Sequence, residues 1–69
     1  MGHVKWISTK DKLPQSFENV LFYEIFSEKI RLGYYDEAAD DWTVSGSITS
    51  IFESKDVPFW ADLPEPPVI

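Results

Sequence analysis

Four carboxylates fall within six positions of this chain: Asp36, Glu37, Asp40 and Asp41. Two acids held together can divide general-acid and general-base work, provided burial lifts the pKa of one of them. Asp36 with Asp41, or Glu37 with Asp40, are the candidate pairs. The same oxygens could ligate Ca²⁺ or Mg²⁺, but their spacing departs from the D-x-[DN]-x-[DN]-G loop. A plainer reading is a solvated hairpin turn whose charge keeps a small domain soluble. Four acids in a polar stretch favour that reading, because nothing beside them supplies the apolar surroundings a general acid needs. The chain has no cysteine, and its one histidine, His3, stands beside the terminus. Nucleophile-base pairs of the Ser-His or Cys-His kind therefore have no base to draw on, and disulfides and thiolate metal sites are excluded. The expectation is a non-enzymatic protein with no catalytic residue, metal or cofactor.

Charge narrows the partners. Six Lys and Arg stand against 12 Asp and Glu, a formal net charge of −6. Nucleic-acid backbones are bound by basic side chains that neutralise phosphates, so direct DNA or RNA binding is not expected. The same field favours a protein with a basic surface. Gly33-Tyr34-Tyr35 could offer stacking rings of the single-strand-binding kind, but only Lys29 and Arg31 accompany them. Tyr34 is expected to pack in the core and Tyr35, on the opposite face, to be accessible. The candidate partner-binding residues are thus Asp36, Glu37, Asp40 and Asp41, with Tyr35, Phe52, Glu53 and Asp56. No apolar run approaches the ~20 residues of a membrane span. The start lacks a signal peptide's apolar stretch, and Trp6 stands where N-myristoylation requires Ser or Thr. A cytoplasmic location is expected.

The elements that must position these residues are short. A chain of 69 residues reads as a single domain over 1–69 and buries only ~60% of its unfolded surface, so it needs a substitute for staples. Three Trp, three Tyr and five Phe are that substitute, since each large ring can bury ~150–250 Å²; dimerisation through an aromatic face is the other route. Residues 4–8 are a short β-prone run, and 19–26, Asn-Val-Leu-Phe-Tyr-Glu-Ile-Phe, form the clearest strand. Residues 30–35 alternate, with Ile30, Leu32 and Tyr34 on one face; the polar break 27–29 makes a hairpin of the two. Gly33 marks a bulge or a place where a large ring packs over the backbone. Residues 42–44 give a third strand of an antiparallel meander. In 47–55, Ile48, Ile51 and Phe52 have helical spacing, which predicts a single helical turn or an irregular loop rather than a strand. Residues 57–61 form a last strand, whose Pro58 places it at a sheet edge or a strand start. The fold class expected is mainly β, or α+β. It is a small antiparallel sheet of three to five strands with at most one short helical turn and a Pro-rich tail packed on it. Trp6 with Leu13-Pro14, and Trp60 with Leu63-Pro64, would clasp the two ends, all three tryptophans being buried. The tail's P-x-x-P, Pro64 to Pro67, could dock on an aromatic groove of a partner, but packing across the chain's own Trp6 is the favoured alternative.

The ordered set Trp6-Ile7, Leu13-Pro14, Glu18-Asn19-Val20-Leu21, Gly33-Tyr34-Tyr35-Asp36, Trp42 and Trp60-x-x-Leu63-Pro64-Glu65-Pro66-Pro67 resembles the small phage and prophage family catalogued as domain of unknown function 551, over nearly the whole chain. The resemblance implies a bacterial-host setting and no catalytic residue set. Members often close with His-Trp-Met-Pro-Leu-Pro, where this chain has Phe59-Trp60-Ala61-Asp62-Leu63-Pro64, so any role of that histidine does not transfer. The function expected is a phage or prophage protein-binding factor that inhibits a host defence or nucleic-acid-processing protein by occluding its basic surface. Two alternatives stand beside it: a binder of a small nucleotide-like ligand, dimeric or not, and a virion or assembly accessory.

Overall fold

The computed structural model describes residues 4–47 and 49–64. Six short strands form one antiparallel sheet: β1 (Ile7–Ser8), β2 (Val20–Glu24), β3 (Lys29–Asp36), β4 (Asp41–Val44), β5 (Ile51–Glu53) and β6 (Phe59–Asp62). Their spatial order is β1-β6-β2-β3-β4-β5. The β2-β3-β4 meander follows from β-branched and aromatic runs joined by four-residue turns, as expected. The sheet has one strand more than the upper expectation, because the meander continues into β5. Within 47–55 a strand stands where none was expected, Ile51 and Phe52 pairing with Thr43 and Trp42; the short helical turn is confined to Ser54–Asp56, a 3-10 turn, and Ile48 lies outside the described residues. The ladder to β4 outweighs a helical spacing that rests on indifferent helix formers. Nor is β6 an edge. It pairs with β1 on one side and β2 on the other. Pro58 sits just before it and withdraws no ladder donor; its carbonyl instead accepts from the Thr9 N–H at 3.0 Å.

Residues 54–58 must bring the chain from β5 to β6, across the positions of β4, β3 and β2. In a flat sheet that span is ~19 Å at ~4.8 Å per strand. A 3-10 turn rising ~2 Å per residue plus a few extended residues reaches only roughly 16 Å. The sheet is therefore curled, and the crossover lies over its inner face. Val57, on the crossover, is fully buried in one cluster with Val20, Phe22, Tyr35, Trp42 and Trp60. Each ring so buried contributes about 4–6 kcal/mol of transfer free energy as an upper bound. Phe22 and Tyr35 both lie against Trp42, at centroid distances of 5.3 and 4.9 Å.

The inner face of β3 is the reverse of the one expected. Tyr35 is 3% exposed, whereas Ile30 is 58% exposed and Leu32 is exposed too. Tyr34 is half-buried and packs on Phe17 at 5.6 Å. The cause is Gly33: a Cβ there would meet the Thr43 carbonyl and lie 2.9 Å from the Phe22 ring. The strand can bring Phe22 over its backbone only on the glycine face, so that face turns inward, and Arg31 and Tyr35 turn with it. The ring-over-glycine arrangement is the one expected at Gly33. The expected pairings, Trp6 with Leu13-Pro14 and Trp60 with Leu63-Pro64, do not form: Leu63 and Pro64 are exposed, and Trp60 turns instead to the segment that holds Leu13-Pro14. Trp60 is buried and donates Nε1–H to the Lys12 carbonyl at 2.8 Å, next to the buried Pro14. Trp6 is 38% exposed and lies on the outer face. The tail from residue 65 onward, and with it the packing expected there, lies outside the described residues.

Candidate functional site

The acids meet at one end of the outer face. In the register Asp36 stands opposite Asp41, and Asp41 opposite Glu53, so three carboxylates form one row across β3, β4 and β5. Like charges directly opposite each other in a sheet destabilise it. Here burial, then Asp36, then Asp40 push the Asp41 carboxyl above its ordinary value. Among the described residues the nearby compensating cation is Lys55, 3.3 Å from Glu53. A cleft of about 540 Å³ opens beside the row, lined by Ala39, Asp40, Asp41, Glu53, Ser54 and Lys55.

The turn that holds the row is built by its own side chains. Asp36 Oδ1 accepts from the N–H groups of Ala38 and Ala39, at 3.1 and 3.4 Å, the self-capping that suits Asp to turns. Asp40 closes the turn at φ 53°. Its Oδ1 accepts from the Tyr35 hydroxyl and from Ser54 Oγ, both at 2.8 Å; these two bonds hold its carboxyl below the ordinary value. Ser54 Oγ in turn accepts from Trp42 Nε1 at 3.1 Å. Burial, and then the bond to Asp40, push the Tyr35 hydroxyl from 10.0 up to about 12. Tyr35 is thus not the accessible ring expected. It is a core residue whose hydroxyl anchors the acidic turn from beneath.

The other expected partner-binding residues divide. Glu37 is exposed on the turn, and its N–H donates to Ser16 Oγ at 3.1 Å, apart from the row. Phe52 is half-buried against Phe22. With Glu53, Lys55 and Asp56 it lines a second depression of about 280 Å³, together with Ile51 and Phe26. Phe26 is 83% exposed in the β2–β3 turn; the sequence placed it inside the strand 19–26, but the strand ends at Glu24, which leaves the ring on the turn. Ser54 was missed too, since only the crossover brings it under Asp40. Glu24 is the third omission: a fully buried carboxylate, bonded to the Ser27 hydroxyl and N–H, with Arg31 Nε at 3.9 Å. Arg31 reaches over the Phe52 ring, 5.7 Å from its centroid.

Chemically, the row presents three carboxylates side by side on one face. The hydroxyls bonded to an acid of this turn, Tyr35 and Ser54, are both committed to Asp40. Among the described residues no three His, Cys, Asp or Glu side chains converge as a metal site, and no helix is long and apolar enough to cross a membrane. No curated protein and no solved structure matches this chain. The family profile described as Protein of unknown function (DUF551) matches residues 5–68, and the chain belongs to that family.

Proposed function

We propose that this chain is a non-enzymatic binding factor that occludes a basic surface of a partner protein. The carrying observation is the row Asp36–Asp41–Glu53, in which the sheet holds three like charges on an accessible face with Lys55, beside Glu53, as the nearby cation among the described residues. A set of Lys or Arg side chains from a partner relieves that repulsion on docking, and the net charge of −6 steers the encounter. Ile51 and Phe26, exposed and lining one depression with Glu53, supply apolar contact. The setting is a phage or prophage protein acting in the cytoplasm of a bacterial host. The target is a defence or nucleic-acid-processing protein, whose nucleic acid the acidic face displaces. The test is capture from host lysate with wild type and with an Asp36→Asn/Asp41→Asn/Glu53→Gln variant. Capture that weakens with salt, is lost in the variant and is competed by nucleic acid supports the reading. Capture that the variant retains in full overturns it.

A further inference from the structure

The opposite end of the outer face carries a second feature. A cavity of about 450 Å³ is lined by Trp6, Tyr23, Glu28, Ile30 and Phe59. The register builds it: Phe59 stands opposite Tyr23, and Tyr23 opposite Ile30. Trp6 lies two residues before Ser8, which pairs with Phe59, so its side chain falls on the same face. Glu28 closes the β2–β3 turn at φ 56°, beside this row of rings. Trp6 and Phe59 are 38% and 44% exposed.

The lining has an unusual chemistry for a small acidic domain. Among the described residues the ring-ring pairs are Phe17–Tyr34, Phe22–Trp42, Phe22–Phe52 and Tyr35–Trp42. Trp6, Tyr23 and Phe59 belong to none, so their faces are not consumed by one another. Among the described residues the ion pairs are Arg31–Glu24 and Lys55–Glu53, and Glu28 belongs to neither. Three rings that pair with no other ring among the described residues and one carboxylate, in a cavity with little other polar surface, suit a cation better than an anion. A bare ammonium keeps its water tightly, and these walls offer few hydrogen bonds to replace it. A cation whose charge is spread over methyl groups sheds water cheaply and is attracted by each ring face.

We propose that Trp6, Tyr23, Phe59 and Glu28 form an aromatic cage for a quaternary alkylammonium group. This site lies at the other end of β3 from the acidic row and does not depend on the occlusion reading. Two sources share that chemistry: a free choline-type molecule and a trimethylated lysine side chain.

The test is titration of the full chain, followed by the ring resonances of Trp6, Tyr23 and Phe59 in NMR spectra. The probes are choline, Nε-trimethyl-lysine amide and 3,3-dimethyl-1-butanol, the neutral isostere of choline. Saturable shifts of the three rings are expected with the cations, and binding of the isostere is expected to be roughly tenfold weaker, the size of a partly desolvated cation–π contribution. Trp6→Ala should weaken choline binding tenfold or more with the melting temperature little changed. Glu28→Gln should weaken it severalfold and remove most of its salt dependence. The ratio of the two cations identifies the source. Should Trp6→Ala lose its fold, Glu28→Gln and the isostere still decide. Equal binding of choline and its isostere, or no ring shifts at tens of millimolar choline, overturns the cage.

Discussion

On the inner face of the sheet Phe22, Trp42 and Val57 lose all contact with water, while on the outer face Trp6, Ile30, Leu32, Ile51 and Phe59 stay exposed. Residue types alone do not separate these two sets. The difference lies in what crosses above them. Ser54–Pro58 lies over the inner face and adds Val57 and Ser54 to it, whereas over the outer face Phe17 reaches Tyr34 and leaves those side chains exposed. The inner face therefore holds the fold, and the outer face is left as the surface on which apolar rings, an acidic row and an aromatic cavity can act. Large apolar side chains left exposed together on one face are the kind of surface that marks an interaction site.

The widest gap between the faces should appear in their tryptophans. Trp60→Ala removes a buried ring and its bond to the Lys12 carbonyl, and should cost about 3–5 kcal/mol, enough to unfold a domain of this size. Trp6→Ala should stay within about 0.5 kcal/mol. Urea midpoints followed by circular dichroism measure both, and equal losses would erase the distinction between the faces. A subtler intrusion into the inner face is Gly33→Ala. Its methyl would press on the Thr43 carbonyl and the Phe22 ring and should cost about 1–3 kcal/mol by overpacking, against nearly nothing for Leu32→Ala next to it on the outer face.

Between the faces runs the Tyr35–Asp40–Ser54 chain. Tyr35→Phe should cost about 1 kcal/mol at neutral pH. Its pH signature is more telling. The folded Tyr35 hydroxyl titrates at about 12, above its ordinary 10.0. Stability from this group is therefore complete below pH ~10 and lost as pH rises towards 12. Tyr35→Phe should unfold less steeply over that range, as read from urea midpoints at successive pH values.

The smallest expected effect is a gain. Asp41→Asn removes the centre of the acidic row and should stabilise by about 0.2–1 kcal/mol at pH 7. Asp41 titrates above an unfolded aspartate, so wild type gains stability as pH falls through the folded value, and the variant's advantage shrinks there. Asp40 titrates below an unfolded aspartate. Its contribution is present above the unfolded value and is lost as pH falls further, through the folded one. Wild type should thus be most stable in mild acid, and Asp41→Asn should flatten that optimum. A melting-temperature profile from pH 7 to 3 checks the sign.

Much of the meander was legible from residue types. Val20 to Glu24 and Ile30 to Tyr35 are short β-formers between polar turns, and strand pairing over four-residue links is a local matter. β5 was not legible, because Ile51 and Phe52 carry a helical spacing that only the ladder to Thr43 and Trp42 overrides. The candidate site was legible in part. Asp36, Asp41 and Glu53 were identifiable as acids, but their alignment in one row depends on a register between strands 12 residues apart. Tyr35 was misplaced because alternation gives two faces without saying which is covered.

The sequence by itself determined that this is a β-rich, acidic, thiol-free chain of its family, with aromatic rings in place of staples. Composition and period-2 alternation are local properties and survive without a fold. Which rings became core was decided only in three dimensions, by a crossover too short to span a flat sheet and a glycine that admits Phe22 over its backbone on one side alone. Both act through distances between strands, and no window along the chain contains those distances.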